Sequence, residues 1–142
     1  MKLKNKVCSL ELSKKLKELG VKQESAFCWA HEKTNESESY ELRFKSGAWL
    51  YADGHGIREH SYNTVSAFTV AELGEMLPQL LPMKKHEHHY GRLTLWRVND
   101  NWQLAYNLES KQCFEIDSWD KSMANAFAKM LIHLIEKGIV TP

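Results

Sequence analysis

Apolar residues return at two spacings along this chain, and each spacing predicts a different element. In "SLELSKKLKELG", Leu12, Leu16 and Leu19 recur at i, i+4 and i+7 opposite lysines, and Gly20 follows. That pattern predicts a short amphipathic helix ending in a left-handed C-cap. "SAFCWAHE" alternates Phe27 and Trp29 with smaller residues, and "YELRFK" sets Tyr40, Leu42 and Phe44 at period two. Two strands follow, joined by the polar "KTNESES". In "SGAWLYADGHG", Ser46 and Gly47 favour a turn, a third strand is expected around Trp49 to Ala52, and Gly54 and Gly56 mark a tight connection.

The segment "TVSAFTVAELGEMLPQLLP", residues 64–82, changes direction within a few positions. Val65 to Phe68 favours strand, Thr69 is a good N-cap, and Glu72 stands three residues on, where a capping box needs it. The short helix turns Val70, Leu73 and Leu77 inward. Gly74 costs it about 1 kcal/mol relative to alanine, which suggests close approach of another backbone. Pro78 ends it, having no N–H to donate and a ring that clashes with the preceding turn.

The second half opens on the clearest hairpin. "RLTLWRV" sets Leu93, Leu95 and Arg97 against Thr94, Trp96 and Val98, "NDN" turns, and "WQLAYNL" resumes the alternation through Trp102, Leu104 and Tyr106. "QCFEID" is a further strand, with Asp117 or Ser118 expected to cap the last helix. Met123, Phe127, Met130, Leu131, Leu134 and Ile135 recur at helical spacing, and Gly138 supplies the stop. The expectation is one α+β domain over residues 1–142: a mainly antiparallel sheet of about five or six strands, covered by a long C-terminal helix, with two short helices.

Composition narrows the classes. A chain of 142 residues with 43% hydrophobic content fits one domain with a core of its own. Its 19 Lys and Arg nearly balance 18 Asp and Glu, so no whole-molecule field gathers nucleic acid or an anionic membrane. No apolar segment reaches the ~20 residues of a membrane span, nor does one follow "MKLKNK" as a signal-peptide core. A soluble, cytoplasmic protein is expected. Cys8, Cys28 and Cys113 lie far apart without CxxC spacing and read as reduced, semi-buried thiols rather than a disulfide framework or zinc ribbon.

Three blocks, "VCSLELSKKLKELGVKQESAFCW", "VSAFTVAELGEMLP" and "ANAFAKMLIHLIEKG", resemble segments shared by small accessory proteins of tailed phages and prophages. They cover roughly a third of the chain, most specifically at Ser66 to Pro78 and Ala124 to Ile132. The resemblance implies a phage accessory product acting in a bacterial host cytoplasm, of a kind that binds a host factor or sequesters a defence signal. It carries no catalytic residue.

Candidate chemistry sits between these blocks. In "YADGHGIREHSY", Gly54 and Gly56 permit close backbone approach, Arg58 suits a phosphate, and His55, His60 and Tyr62 supply donors and stacking faces. With Trp49, Tyr51, Arg92 and Trp96 they form the expected ligand-binding set, although neither a Walker nor a dinucleotide spacing is present and a flexible hairpin loop is the plainer account. In "HEHHY", His86 and His88 would share one strand face, two ligands where a structural zinc needs four, so they are weak metal candidates and no cofactor is expected. The five tryptophans are mostly expected in the core. Trp96, opposite Leu93 and Leu95, needs a ligand, a loop or a second copy to cover it.

Nucleophilic catalysis has little support: Cys28 reads as a small apolar residue, and Asp117 and Asp120 as charges favouring a helix N-terminus. Two functions are expected in order. The first is non-enzymatic capture of a small anionic metabolite or nucleotide. The second is protein interaction, as a homo-oligomer or with a host protein. A metal-dependent hydrolase ranks third.

Overall fold

The computed structural model describes residues 3–32, 39–45, 50–53, 56–59, 62–82, 90–108 and 111–142, with the backbone alone at Lys4, Glu32, Leu108 and in the described parts of 50–62 and 111–115. The order is α1 (Leu10–Glu18), β1 (Phe27–Glu32), β2 (Glu41–Phe44), β3 (Leu50–Asp53), β4 (Gly56–Glu59), β5 (Tyr62–Ser66), α2 (Val70–Met76), β6 (Leu80–Pro82), β7 (Tyr90–Val98), β8 (Asn101–Leu108), β9 (Lys111–Asp120) and α3 (Met123–Glu136). Among the described residues the class is α+β with three α-helices, and every strand pairing is antiparallel.

One sheet of five or six strands does not form. The strands divide into a three-stranded sheet ordered β2-β1-β5, the hairpin β3-β4, and a four-stranded sheet ordered β6-β7-β8-β9. The larger two are separated in sequence at α2. Its capped start and proline exit redirect the chain, so β6 pairs with β7 rather than extending β5. Strands β4 and β6 escaped the hydrophobic pattern. "GIRE" offers no apolar alternation, and β6 has three residues, with Pro82 at a sheet edge where a missing N–H is tolerated.

The caps explain where the helices start. The Ser9 hydroxyl accepts from the Leu12 N–H, and Gly20 follows α1 at φ 88°. Thr69 and Glu72 form the complete capping box of α2. Strand β9 runs through Asp117 and Ser118 to Asp120, so the cap of α3 falls at Ser122 instead. Ser118 is a buried sheet residue whose hydroxyl donates to the Ala126 carbonyl at 2.7 Å.

The main core lies between the helices and one face of the four-stranded sheet. Along β7 and β8, Leu93 is opposite Tyr106 and Leu95 opposite Leu104, so these side chains share a face. Helix α3 brings Phe127, Met130, Leu131 and Leu134 to that core, joined by Leu16 of α1 and Leu73 of α2. Tyr106 is fully buried and donates its hydroxyl to the Pro78 carbonyl at 2.6 Å, which ties the α2 exit to the sheet. A second cluster, Val7, Trp29 and Ala67, packs beside the three-stranded sheet. Gly74 faces the Phe127 ring, 3.5 Å from where a Cβ would stand, and not another backbone.

Candidate ligand-binding cleft

A cleft of about 1210 Å³ opens where the start of each α-helix meets Trp29 and Tyr40 on one side and Trp102 on the other. Trp29 points inward from β1, 6% exposed, and its indole N–H donates to the Cys8 carbonyl at 3.2 Å. The ring is therefore fixed before any ligand arrives. Tyr40 precedes β2, with the Lys14 ammonium 4.6 Å above its ring and the His31 ring 5.2 Å away. Trp102 comes from β8, half-buried, with the Arg97 guanidinium 5.7 Å from its ring.

Between the aromatic side chains the helix starts bring polar groups, Ser9, Ser122 and Asn125, to the cleft. The Ser9 N–H donates to Asn125 Oδ1 at 2.8 Å, so α3 reaches across to the start of α1. Asn125 in turn donates to Asp120, which also accepts from the Ser122 N–H at 2.8 Å and from the Lys129 ammonium at 2.8 Å. Burial pushes the Asp120 carboxyl upward, but the bonds from Lys129, Ser122 and Asn125 outweigh it and hold the group below its ordinary 3.8. Its negative charge is thus committed to protein donors. Among the described residues, Lys6 and Lys121 line the cleft against a single carboxylate, Glu11. The amino ends of α1 and α3 add partial positive charge, about half a unit each. Aromatic faces, ammonium groups and hydroxyls in one concavity are groups whose chemistry suits an anion that carries a flat ring.

The residues expected from sequence are distributed differently. Trp49, His55 and His60 lie outside the described residues, as do His86 and His88. Tyr51 and Arg58 occupy directly opposed positions of the β3–β4 hairpin, and Tyr62 opens β5 opposite Glu32. Arg92 is exposed and Trp96 half-buried, on the face of β7 turned away from the helices, and neither lines the cleft. On that face Trp96, Gln103 and Trp119 stand in a row across β7, β8 and β9. Asp117 accepts from the Trp119 indole at 2.6 Å and from Gln103 at 3.3 Å.

Cys8 and Cys28 are free and buried, and burial pushes both thiols up, with the Cys8 sulfur 3.1 Å from the Ser13 hydroxyl. Cys113 has no described side chain. Among the described residues no group of three His, Cys, Asp or Glu is spaced to hold a metal ion, and no helix is long and apolar enough to cross a membrane.

The cleft residues were each visible in the sequence, Lys6 in the basic opening, Ser9 at a helix start, Trp29 and Trp102 in strands, but nothing local tied them together. No family model, curated protein or solved structure matches the chain.

Proposed function

We propose that this chain is a binding protein that captures a small anionic metabolite of the nucleotide class in the cleft between Trp29, Tyr40 and Trp102, without transforming it. The observation that carries this reading is the composition of the cleft: among the described residues, three aromatic side chains, two lysines and a single carboxylate around about 1210 Å³. That is somewhat more than the ~300–1,000 Å³ of ordinary small-molecule pockets, room for a nucleotide with bound water. The resemblance of three blocks to phage and prophage accessory proteins supports a setting in which capture withdraws a host signal from solution.

Native mass spectrometry of freshly purified protein, with a thermal-shift screen of mono- and dinucleotides, tests the reading. A bound anion released unchanged on denaturation, with binding lost in Trp102→Ala and Lys121→Ala, is the expected result. Chemical conversion of the nucleotide during prolonged incubation would overturn it, as would an unaltered response in both variants.

A second reading, a homodimer, is favoured by the sheet face that carries Trp96. Leu80, Tyr90 and Trp119 are 52%, 60% and 42% exposed there. Under this reading light scattering reports a dimer that Trp119→Glu dissociates, with no nucleotide response.

A further inference from the structure

A second concavity, sharing no lining residue with the cleft, lies beyond the other end of α2. Its volume is about 410 Å³, and Phe68, Met76, Leu131 and Ile135 supply an apolar floor. Among the described residues three carboxylates line it, Glu24, Glu72 and Glu75, against a single Lys22. Glu24 and Glu75 are exposed. Glu72 is of another kind, because its carboxylate is immobilised by the protein. Glu72 Oε2 accepts from the Thr69 N–H at 2.7 Å, the Thr69 hydroxyl at 2.8 Å and the Ser25 hydroxyl at 3.0 Å. Among the described residues Oε1 accepts only from the Ala26 N–H, at 3.2 Å. A carboxylate oxygen has two lone pairs, so Oε1 retains capacity for one more donor.

We infer that this pocket is a binding site for a small amphipathic amine, an organic ammonium whose apolar body rests on Phe68, Met76, Leu131 and Ile135 while its charged head meets Glu72. The apolar floor rewards burial of a hydrocarbon body roughly in proportion to the area covered. A fixed anion at the edge of that floor rewards a cation there without first having to be ordered. The two exposed carboxylates make the mouth negative, which favours entry of a cation and disfavours an anion of the same shape. Charge therefore separates the ligands of the two concavities: an anion in the cleft, a cation here. The inference does not rest on the nucleotide reading.

The probe is hexylammonium, titrated into the full chain at neutral pH, with hexan-1-ol and hexanoate as neutral and anionic matches. Methyl NMR follows Val21, Met76, Ile135 and Val140 in this pocket and Leu10 and Val70 in the cleft. Saturable shifts confined to the first group are expected, with hexylammonium binding at least about tenfold tighter than hexanol and hexanoate not binding. The double variant Glu24→Gln, Glu75→Gln changes exposed side chains and is expected to weaken the probe by roughly three- to tenfold. Ile135→Lys, which brings an ammonium into the pocket from the protein itself, is expected to abolish binding. Equal affinity for hexanol or hexanoate, shifts in the cleft methyls instead, no shifts at all, or an unchanged affinity in the double variant overturns the inference. The double variant keeps the test open should the lysine variant not fold.

Discussion

Replacing Glu72 by glutamine tests how α2 is attached to the rest of the molecule. The carboxylate accepts four hydrogen bonds, from the Thr69 N–H and hydroxyl, the Ser25 hydroxyl and the Ala26 N–H, so one side chain closes the capping box and fastens α2 to the chain entering β1. A glutamine keeps the shape, but one of its two ends is an NH2 that cannot accept. Either the three donors at Oε2 or the single donor at Oε1 lose their partner. A hydrogen bond to a charged acceptor is worth about 1.5–3 kcal/mol net, and half-buried donors keep part of their bonding through water. The expected loss is about 2–3 kcal/mol, read as a lower urea midpoint at unchanged slope.

The pH dependence supplies a second, independent readout. Burial pushes the Glu72 carboxyl upward, but its bonds to Thr69, Ala26 and Ser25 prevail and hold it below 4.5 in the folded protein. The unfolded chain therefore binds the proton more readily. The stabilisation from Glu72 is complete above the unfolded value, about 4.3, and is lost as pH falls through the depressed folded value. Asp120 titrates in the same direction, so the informative quantity is the difference between the two proteins. Urea titrations at a series of pH values below 5 should show the natural protein losing stability faster than Glu72→Gln, the gap closing as acid is added. A variant as stable as the natural protein, or a gap independent of pH, would refute the role given to this carboxylate.

Gly74→Ala should raise stability by about 0.5–1 kcal/mol in urea denaturation, because a Cβ there meets the Phe127 ring at an ordinary contact distance and the helix gains alanine's propensity. Leu131→Ala, at a fully buried position of α3, should cost about 2–5 kcal/mol, measured the same way. Tyr106→Phe leaves the Pro78 carbonyl without the hydroxyl that donates to it at 2.6 Å; a loss of about 1–2 kcal/mol is expected, seen as a lower Tm in calorimetry.

Local patterns carried most of the elements. The Leu12–Leu16–Leu19 stripe, the Thr69–Glu72 pair and the alternation through Leu93 to Val98 depend on residues within a turn or a hairpin of one another, and each appears as expected. The turn at Asn99 and Asp100 is equally local, with Asn99 at φ 53°, a conformation that asparagine tolerates. What depends on distant pairing was not legible. β5 joins β1 across the twenty-nine residues 33–61, and β6 is recognised only by its partner β7. The cap of α3 was misread because Asp117 and Ser118 have good capping chemistry, while their pairing with Ala105 and Leu104 draws them into β9. The cleft failed to appear for the same reason. Trp29 and Trp102 stand on different sheets, and their approach follows from how α1 and α3 pack, through the Ser9–Asn125 bond among others.

Thr69, Val70 and Ala71 line the cleft, whereas Glu72, Glu75 and Met76 line the second pocket, so one helix of seven residues with its cap contributes side chains to both concavities. The Thr69–Glu72 capping box joins the two faces, since Glu72 Oε2 holds the Thr69 backbone and Oε1 is the acceptor proposed for an ammonium. A cation at Oε1 competes for carboxylate charge that otherwise strengthens the bonds to Thr69, and the backbone it would loosen lines the cleft. The capping residues that make α2 start where it does are therefore also the shortest physical connection between the two concavities. Loosening through the capping box should weaken anion capture at the cleft, while the direct attraction between an ammonium in the second pocket and an anion in the cleft acts the other way. Titrating a nucleotide into the cleft in the presence and absence of saturating hexylammonium would measure the balance: a weaker affinity with the amine bound is expected if the coupling through Glu72 dominates, and a tighter one would show that the attraction between the two charges outweighs it.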